Sequence, residues 1–372
     1  MKRQLLHTPE GVRDIYNDEC EKKMLLQDQL YHILRLHGYH PIQTPTFEFF
    51  DIFGREIGTT PSIARCAAKY FGEEELPIRL CYMGNTFINN SSYQGRLKEC
   101  TQLGAELLGD PSVDADAEMI SMVISCLKAA GLKEFQLSIG HADFFRGLME
   151  AAGLLEEQEE ELRELISNKN FFGVEEFVET LNLEENLKNL FGMLGNLYTG
   201  SDELSAAREC AASYPRILKA IGDLEELHKI LEVYEVSRYV SFELGTISNY
   251  QYYTGIIFAG YTFGSGEAIV KGGRYDRLLT CFGKDSASIG FAFVVDQLTA
   301  ALQRQKIDVP VERSVELMVY KPAKRQTAIT AAAAARAAGR CVELMLWDET
   351  KQKEDYEDYA ARSRMINVQF FA

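Results

Sequence analysis

Three short segments carry the clearest signal in this chain: Tyr252-Tyr253-Thr254-Gly255, then Gly272-Gly273-Arg274-Tyr275-Asp276, then Gly290-Phe291-Ala292-Phe293-Val294-Val295-Asp296-Gln297. Tyrosine offers a flat face for packing and a hydroxyl for hydrogen bonding. Glycine lets the backbone approach a ligand closely. A lone Tyr-Tyr pair is typical of core packing, and a lone Gly-Gly-Arg-Tyr-Asp is weak evidence. In this order and at this spacing, the three segments together form a specific pattern.

The segments lie among strand signals, because runs of β-branched and aromatic residues fall at residues 239–246, 253–261 and 267–271. Residues 291–303 read as a closing strand and helix. Upstream, residues 77–87 and 98–108 read as two strands, and the polar residues 89–92 predict the turn between them. A strand-like run over residues 39–50 is broken by Pro41 and Pro45.

Two amphipathic helices are predicted from apolar residues at three- and four-residue spacing. The first spans residues 18–36 and ends at Gly38; the second spans about residues 114–130, with Asp110 or Ser112 as the cap and Gly131 as the stop. Residues 154–235 are rich in acidic and leucine residues, which favours a helical insertion over a simple continuation of the core. After Pro310 the pattern alternates β-α-β-α-β, which predicts a small α/β domain with a parallel sheet.

These motifs resemble the histidine-recognising core of histidyl-tRNA synthetases and their paralogues. Residues 7–14, His-Thr-Pro-Glu-Gly-Val-Arg-Asp, look like the T-P-x-G-x-R-D start of that family. The resemblance covers about residues 7–303. It implies an α+β fold, with a class II aminoacyl-tRNA synthetase-like antiparallel sheet flanked by helices, and a homodimer. We therefore predict a synthetase-like core over residues 1–309, with the helical insertion at about 154–235, and a small α/β domain over residues 310–372.

The resemblance also implies which side chains meet a histidine ligand. Gln102 and Glu106 match histidine-contacting residues of the family, and their even spacing on a strand places them on one face. The six residues that we expect to bind histidine are Gln102, Glu106, Tyr252, Tyr253, Arg274 and Tyr275.

Three positions depart from the family pattern. Ile88, Ser248 and Gln297 stand where active synthetases carry arginines that bind ATP or lie between ATP and the histidine carboxylate. Arginine forks stabilise the negative charge that develops during adenylate formation, and removing one such donor typically costs roughly 2.7–4 kcal/mol. We therefore expect no catalytic residues, no cofactor and a catalytically inactive synthetase-like subunit.

A further departure lies at residues 58–65, where Gly-Thr-Thr-Pro-Ser runs straight into Ile-Ala-Arg. The family places a hairpin and an acidic strand before this point. The acidic residue that would meet the amino group of the ligand therefore has no assigned counterpart.

Composition narrows the classes of protein. The chain has 372 residues, 46% of them hydrophobic, and a formal net charge of −16 from 39 basic and 55 acidic residues. Such an acidic chain argues against nucleic-acid binding, which needs clustered Lys and Arg. The eight cysteines form no Cys-x-x-Cys pair, so we expect no metal site and reduced thiols.

We expect a cytoplasmic protein without a membrane span, because no apolar run reaches the roughly 18 residues that a span needs and the N-terminus lacks a signal-peptide pattern.

A synthetase-like core that keeps the amino-acid contacts and lacks the ATP arginines resembles the ATP phosphoribosyltransferase regulatory subunit family. This resemblance implies a short-form ATP phosphoribosyltransferase catalytic subunit as partner, histidine as ligand, a role in the first step of histidine biosynthesis and feedback inhibition, with a homodimer inside a hetero-oligomer. Two alternatives stay open: a histidyl-tRNA synthetase, and a synthetase-like amino-acid sensor.

Overall fold

A computed structural model describes residues 6–46, 48, 59–71, 76–87, 98–247, 252–311 and 314–372. The chain divides into two compact units, Met1–Val309 and Pro310–Ala372. The expected turn at residues 89–92, and the substituted positions Ile88 and Ser248, lie outside the described residues.

The described part of the first unit contains a nine-stranded sheet in the order β1-β2-β3-β9-β8-β7-β4-β6-β5. Its neighbours pair antiparallel except β1 with β2 and β4 with β6, which pair parallel. The largely antiparallel sheet flanked by helices agrees with the predicted class II fold. The strands are β1 His40–Pro41, β2 Ile78–Phe87, β3 Glu99–Leu108, β4 Phe135–His141, β5 Leu197–Tyr198, β6 Val240–Glu243, β7 Ile256–Thr262, β8 Val270–Arg274 and β9 Ser288–Val294.

Ten helices of the first unit lie within the described residues. They are α1 Asn17–Leu36, α2 Thr60–Tyr70, α3 Val113–Ala129, α4 Ala142–Ala152, α5 Glu156–Ser167, α6 Phe171–Glu179, α7 Glu185–Gly192, α8 Ser205–Cys210, α9 Pro215–Val233 and α10 Val295–Arg304. The predictions of α1 and α3 are confirmed. Ser112 caps α3 by accepting a hydrogen bond from the Ala115 amide, and Asp110 in turn accepts from Ser112.

The sheet has two differently packed faces, because successive side chains of a strand point to opposite sides. On β3, Leu103, Ala105 and Leu107 belong to the main core, which α1, α3, α4 and α9 complete. The even-numbered residues from Gln102 to Leu108 face the other way. There, a smaller core combines α2 with Ile78, Leu80 and Tyr82 of β2 and with Tyr253 and Tyr275. The second face carries the candidate site.

A polar contact between three elements fixes the end of the sheet nearest to α10. Asp296, in the first turn of α10, accepts a hydrogen bond from the Thr101 amide at 2.7 Å. Its other carboxylate oxygen meets the Lys23 ammonium of α1 at 2.6 Å, and Lys23 also donates to the Thr101 hydroxyl. Since both charged side chains are largely buried, this pair holds β3, α1 and α10 in one arrangement.

Some local predictions were wrong or incomplete. Of the strand expected over residues 39–50, the described residues form only His40–Pro41, since Pro41 and Pro45 cannot donate ladder hydrogen bonds. Strand β8 begins at Val270, three residues after the predicted start, and includes Arg274. The central strand β4 and the following helix α4 were not predicted.

The region between α4 and β6 is mainly helical. Helix α5 carries three acidic residues in its first turn, where the positive end of the helix dipole favours negative charge. Its apolar side, Leu162 and Ile166, is buried against the neighbouring helices, while the acidic residues remain at the surface. The dense acidic run therefore forms the solvated side of a packed helix.

The second unit is a three-stranded parallel sheet in the order β11-β10-β12. Small apolar clusters cover both of its faces, one around Tyr356 and Val319 and the other around Met318 and Ala332. The predicted β-α-β-α-β order is confirmed. Its elements are β10 Val315–Tyr320, α11 Arg325–Ala337, β11 Cys341–Leu346, α12 Lys353–Arg362 and β12 Asn367–Phe371.

Within the described residues, no helix is both long enough and apolar enough to cross a bilayer.

Candidate functional site

Glu106 lies two residues before the end of β3, on the second face of the sheet, and only 1% of its surface is exposed. Its carboxylate accepts two hydrogen bonds from hydroxyl groups. Tyr275 donates to Oε2 at 2.5 Å, and Thr60, the first residue of α2, donates to Oε1 at 2.9 Å. Among the described residues, no Lys, Arg or His pairs with this carboxylate, so its charge is met by neutral donors alone.

The pKa of Glu106 reflects this environment. Burial raises it to about 7, against the opposing effect of the hydrogen bonds from Tyr275 and Thr60 and of the nearby Tyr82 hydroxyl, which favour the ionised form. Burial and the neighbouring Glu106 carboxylate raise the pKa of the Tyr275 phenol well above its ordinary value. Glu106 can therefore either donate or accept a hydrogen bond near neutral pH, depending on what lies opposite.

Tyrosine rings surround the carboxylate. Tyr252 lies 4.6 Å from Tyr253 between ring centroids and meets Tyr275 edge-on at 5.8 Å. Tyr82 of β2 is 2% exposed, and its hydroxyl has no hydrogen-bond partner within the described part of the chain. Burial raises the pKa of Tyr82, as does the negative charge of nearby Glu106. A buried hydroxyl without a partner costs free energy, so a ligand that satisfied it would gain affinity.

Glycines form the sheet surface beneath these rings. Gly290 pairs directly with Glu106, and a Cβ atom there would lie 1.5 Å from Glu106 Oε2. At Gly273 the added atom would lie 2.8 Å from the Tyr253 ring, and at Gly104 it would lie 2.7 Å from the Tyr82 hydroxyl. These glycines are needed for space, because any side chain would occupy the room that the carboxylate and the rings now use.

Gln102 lies on the same surface of β3, four residues before Glu106. Its Oε1 accepts from the Thr59 hydroxyl at 2.9 Å and from the Thr59 amide at 3.3 Å. The start of α2 therefore bonds to Gln102 through Thr59 and to Glu106 through Thr60. As their even spacing on the strand predicted, Gln102 and Glu106 lie on one face of β3, and both face α2.

Arg274 lies on the opposite face of the sheet. Two of its guanidinium nitrogens, Nε and Nη2, contact Asp116 Oδ1 of α3 at 2.9 and 2.7 Å. The guanidinium also donates to the carbonyls of Asp110 and Ser112 at 3.0 Å each. The structure thus brings Gln102, Glu106, Tyr252, Tyr253 and Tyr275 together and places Arg274 apart from them, where it anchors the start of α3.

Gln297 occupies the first turn of α10, directly after the closing strand β9. The third motif of the sequence is therefore a strand followed at once by a helix. At this turn an amide side chain stands where the family pattern has an arginine, so Gln297 contributes no positive charge.

Three residues of the site were missed from the sequence: Thr59, Thr60 and Tyr82. Tyr82 had a usable signal, because it shares the alternation of Ile78 and Leu80 and therefore their face. The two threonines carried only a weak signal: Pro61 marks a first helical turn, and hydroxyl residues are common at such starts.

The arrangement suits a small, planar, nitrogen-bearing ligand. A carboxyl group titrating near neutral pH can bond to an imidazole nitrogen in either of its protonation states. The tyrosine rings supply flat apolar surface, while Gln102 and the threonine hydroxyls supply neutral polar contacts.

Comparisons with known proteins agree with this geometry. The histidyl-tRNA synthetase family model matches residues 53–298. The ATP phosphoribosyltransferase regulatory subunit of Acetivibrio thermocellus is 38% identical over 91% of this chain and 86% of its own length. That of Ruminiclostridium cellulolyticum is 34% identical over 99% and 93%.

Two solved structures are similar to this chain. A Bacillus halodurans protein described as an ATP phosphoribosyltransferase regulatory subunit/histidyl-tRNA synthetase is 29% identical, with a TM-score of 0.85 over 99% of this chain and 98% of its own. A histidyl-tRNA synthetase from a Nostoc species has a TM-score of 0.81 over 97% of this chain and 90% of its own. At 18% identity, the second likeness shows the fold alone.

Proposed function

Because this chain belongs to the ATP phosphoribosyltransferase regulatory subunit family, a branch of the histidyl-tRNA synthetase-like proteins, we propose that it is the non-catalytic partner of a short catalytic subunit in the first step of histidine biosynthesis. In this proposal the catalytic subunit requires the chain for activity, and histidine bound between Glu106, Gln102 and the tyrosines acts through it as a feedback inhibitor.

One observation carries the histidine proposal. The Glu106 carboxyl is buried, has hydroxyl partners only, and has a pKa raised to about 7, close to the ordinary pKa of imidazole. Two groups with matched pKa values can share a proton across a hydrogen bond at neutral pH. The unsatisfied Tyr82 hydroxyl offers a further contact for the ring or for a bound water.

The same geometry supports a binding role without adenylate chemistry. Gln297 lacks the charge that would stabilise a developing negative charge on the α-phosphate of ATP. The described pocket residues are an acid, an amide and hydroxyls, which suit an amino acid and not a triphosphate.

Regulation then follows from linkage. A ligand changes the activity of a distant subunit only if it binds two states of the assembly with different affinity, and a coupling of roughly 1–3 kcal/mol suffices. The start of α2 is well placed to respond, because Thr59 and Thr60 bond to the two polar residues that a ligand would engage.

The test is the rate of phosphoribosyl-ATP formation by a short-form catalytic subunit from the same source, with and without this chain and with and without millimolar histidine. We expect activity only with the chain, and a fall in activity when histidine is added. Glu106→Gln is expected to preserve activation and to lose inhibition. No dependence of the rate on this chain would contradict the proposal.

A second assay separates the alternative readings. A histidyl-tRNA synthetase would show histidine-dependent exchange of pyrophosphate into ATP, and we expect none. An amino-acid sensor would bind histidine without changing the rate of the catalytic subunit, so histidine binding without activation would favour that reading.

A further inference from the structure

A second concave surface lies where β4 begins and β7 ends, beside the turn that precedes β6. It encloses about 650 Å³ and is open to solvent along its length. We name it the aromatic–basic groove and define it by Lys133, Phe135, Arg238, Tyr239, Tyr261 and Phe263. None of these residues belongs to the Glu106 pocket.

The base of the groove is a stack of rings and a cation. Phe135 and Tyr239 lie parallel, with ring centroids 4.7 Å apart and planes 6° apart. The Arg238 guanidinium lies 4.7 Å from the Tyr239 ring and donates a hydrogen bond to its hydroxyl at 2.6 Å. These contacts hold the rings in place, so a partner would meet a preformed surface.

Two apolar side chains project from this base. Phe263 is 79% exposed and Tyr261 is 45% exposed. Their backbone is nevertheless anchored, because Gln305, which directly follows α10, donates to the Phe263 carbonyl at 2.8 Å and Thr262 donates to the Glu134 carbonyl at 2.6 Å. Phe263 is therefore exposed on a segment whose backbone is held in place, directly after β7.

The groove is positively charged in an acidic chain. Two bases, Lys133 and Arg238, and one acid, Glu134, line it, and Lys128 lies 5.9 Å from the Tyr239 ring. The salt bridges within the described residues include none of these four side chains. The chain as a whole has the opposite sign, with a formal net charge of −16. An isolated basic patch on an acidic protein attracts an acidic partner and orients it.

An open surface with exposed aromatic side chains and arginine has the composition of a protein interface core. We propose that the aromatic–basic groove docks the catalytic subunit through an acidic segment that carries an apolar anchor residue. This inference rests on the proposed function, since it names the surface by which the chain meets its partner. The anchor packs against Phe263 and Tyr261, and the acidic groups pair with Arg238 and Lys133.

The test measures the dissociation constant of the full chain for the catalytic subunit, by calorimetry or sedimentation. Phe263→Ser and Arg238→Glu are each expected to raise it at least roughly tenfold, as hot-spot truncations do. The matched control for Phe263 is Phe172→Ser, because Phe172 on α6 is 70% exposed. The matched control for Arg238 is Arg163→Glu, because Arg163 on α5 also lies over an aromatic ring, 4.8 Å from that of Phe145. Both controls should bind as the wild type does.

Salt dependence tests the electrostatic part separately. Raising the NaCl concentration should weaken the wild-type complex more steeply than the Arg238→Gln complex, because screening acts on a pairing that the variant lacks. Lys133→Glu supplies a second charge reversal at an exposed side chain and keeps the test valid if Arg238→Glu fails to fold.

The possible outcomes are distinct. Unchanged affinity of the groove variants, or an equal loss in the controls, would overturn the docking inference while leaving the proposed function intact. A change in the self-association of the chain alone, without a change in partner affinity, would assign the groove to contacts between copies and would also overturn it. Failure of the wild type to bind the catalytic subunit would overturn both proposals.

Discussion

Two buried carboxyl groups lie on opposite faces of the same sheet and are treated differently. Asp116, on the helix-covered face, is paired with the Arg274 guanidinium at 2.7 Å. Glu106, on the pocket face, meets only the hydroxyls of Tyr275 and Thr60. Burial raises the pKa of both, to about 6 for Asp116, where Arg274 opposes the effect, and to about 7 for Glu106. A buried carboxylate that is paired with an arginine stabilises the fold, whereas a buried carboxylate with neutral donors only can still bind a ligand.

The largest expected effect comes from breaking the Asp116–Arg274 pair on the helix-covered face. Arg274→Met leaves Asp116 buried without its cation and leaves the carbonyls of Asp110 and Ser112 without their donors. Removing one partner of a buried pair typically destabilises by about 3–5 kcal/mol, and urea unfolding would measure it. The double variant Arg274→Met/Asp116→Leu should recover part of the loss. A single variant as stable as the wild type would show that the pair is not structural.

The second prediction concerns the pH dependence of stability. Because the folded pKa of Glu106 is raised from 4.5 to about 7, the folded state binds more protons than the unfolded state between these values. Stability therefore falls as pH rises through this window, by on the order of 3 kcal/mol at most for this group. Glu106→Gln should remove that contribution. The free energy of unfolding of the variant, relative to that of the wild type, should therefore be higher at pH 8 than at pH 4.5.

Unfolding curves of both proteins at several pH values would check this second prediction. Asp116 has a raised pKa in both proteins and its effect has the same sign, so only the difference between the two curves reports Glu106. Parallel curves would mean that Glu106 titrates normally.

Sequence alone could predict many, though not all, of the elements that form the two faces of the sheet. Strands β2 and β3 and the helix that Ser112 caps were recoverable, because apolar periodicity and capping chemistry are local. Strand β4 also has a readable alternation, Phe-Gln-Leu-Ser-Ile, which is typical of a strand. The opposite placement of Arg274 and Tyr275 was implicit in the alternation of a strand.

Other features depend on contacts between distant parts of the chain. No local pattern reveals that Thr60 reaches Glu106, which is 46 positions away in sequence, or that Tyr82 lacks a hydrogen-bond partner. Such facts depend on the packing of α2 against β3. The raised pKa of Glu106 follows from burial by the same packing, so it could not be read from composition.

A third prediction separates the two carboxyl groups by ligand binding. Glu106→Gln should weaken histidine binding by about 1.5–3 kcal/mol, the range for hydrogen bonds to charged groups, and Tyr275→Phe should weaken it less. Calorimetric titration would measure both. Arg274→Met, at a temperature where it remains folded, should bind histidine nearly as the wild type does. Wild-type affinity in both pocket variants would place the histidine site elsewhere.

The smallest expected effect concerns Tyr82, which has a buried hydroxyl with no partner among the described residues. Replacing such a hydroxyl by hydrogen relieves an unmet desolvation cost, so Tyr82→Phe should leave the stability of the free protein unchanged or raise it by up to about 1 kcal/mol. The same variant should bind histidine more weakly, because the ligand or a bound water would otherwise satisfy the hydroxyl. Thermal unfolding with and without histidine would measure both effects at once. A variant that is less stable without ligand and equally stabilised by histidine would show that Tyr82 is an ordinary core residue, and that the spare hydrogen-bonding capacity of this face belongs to Glu106 alone.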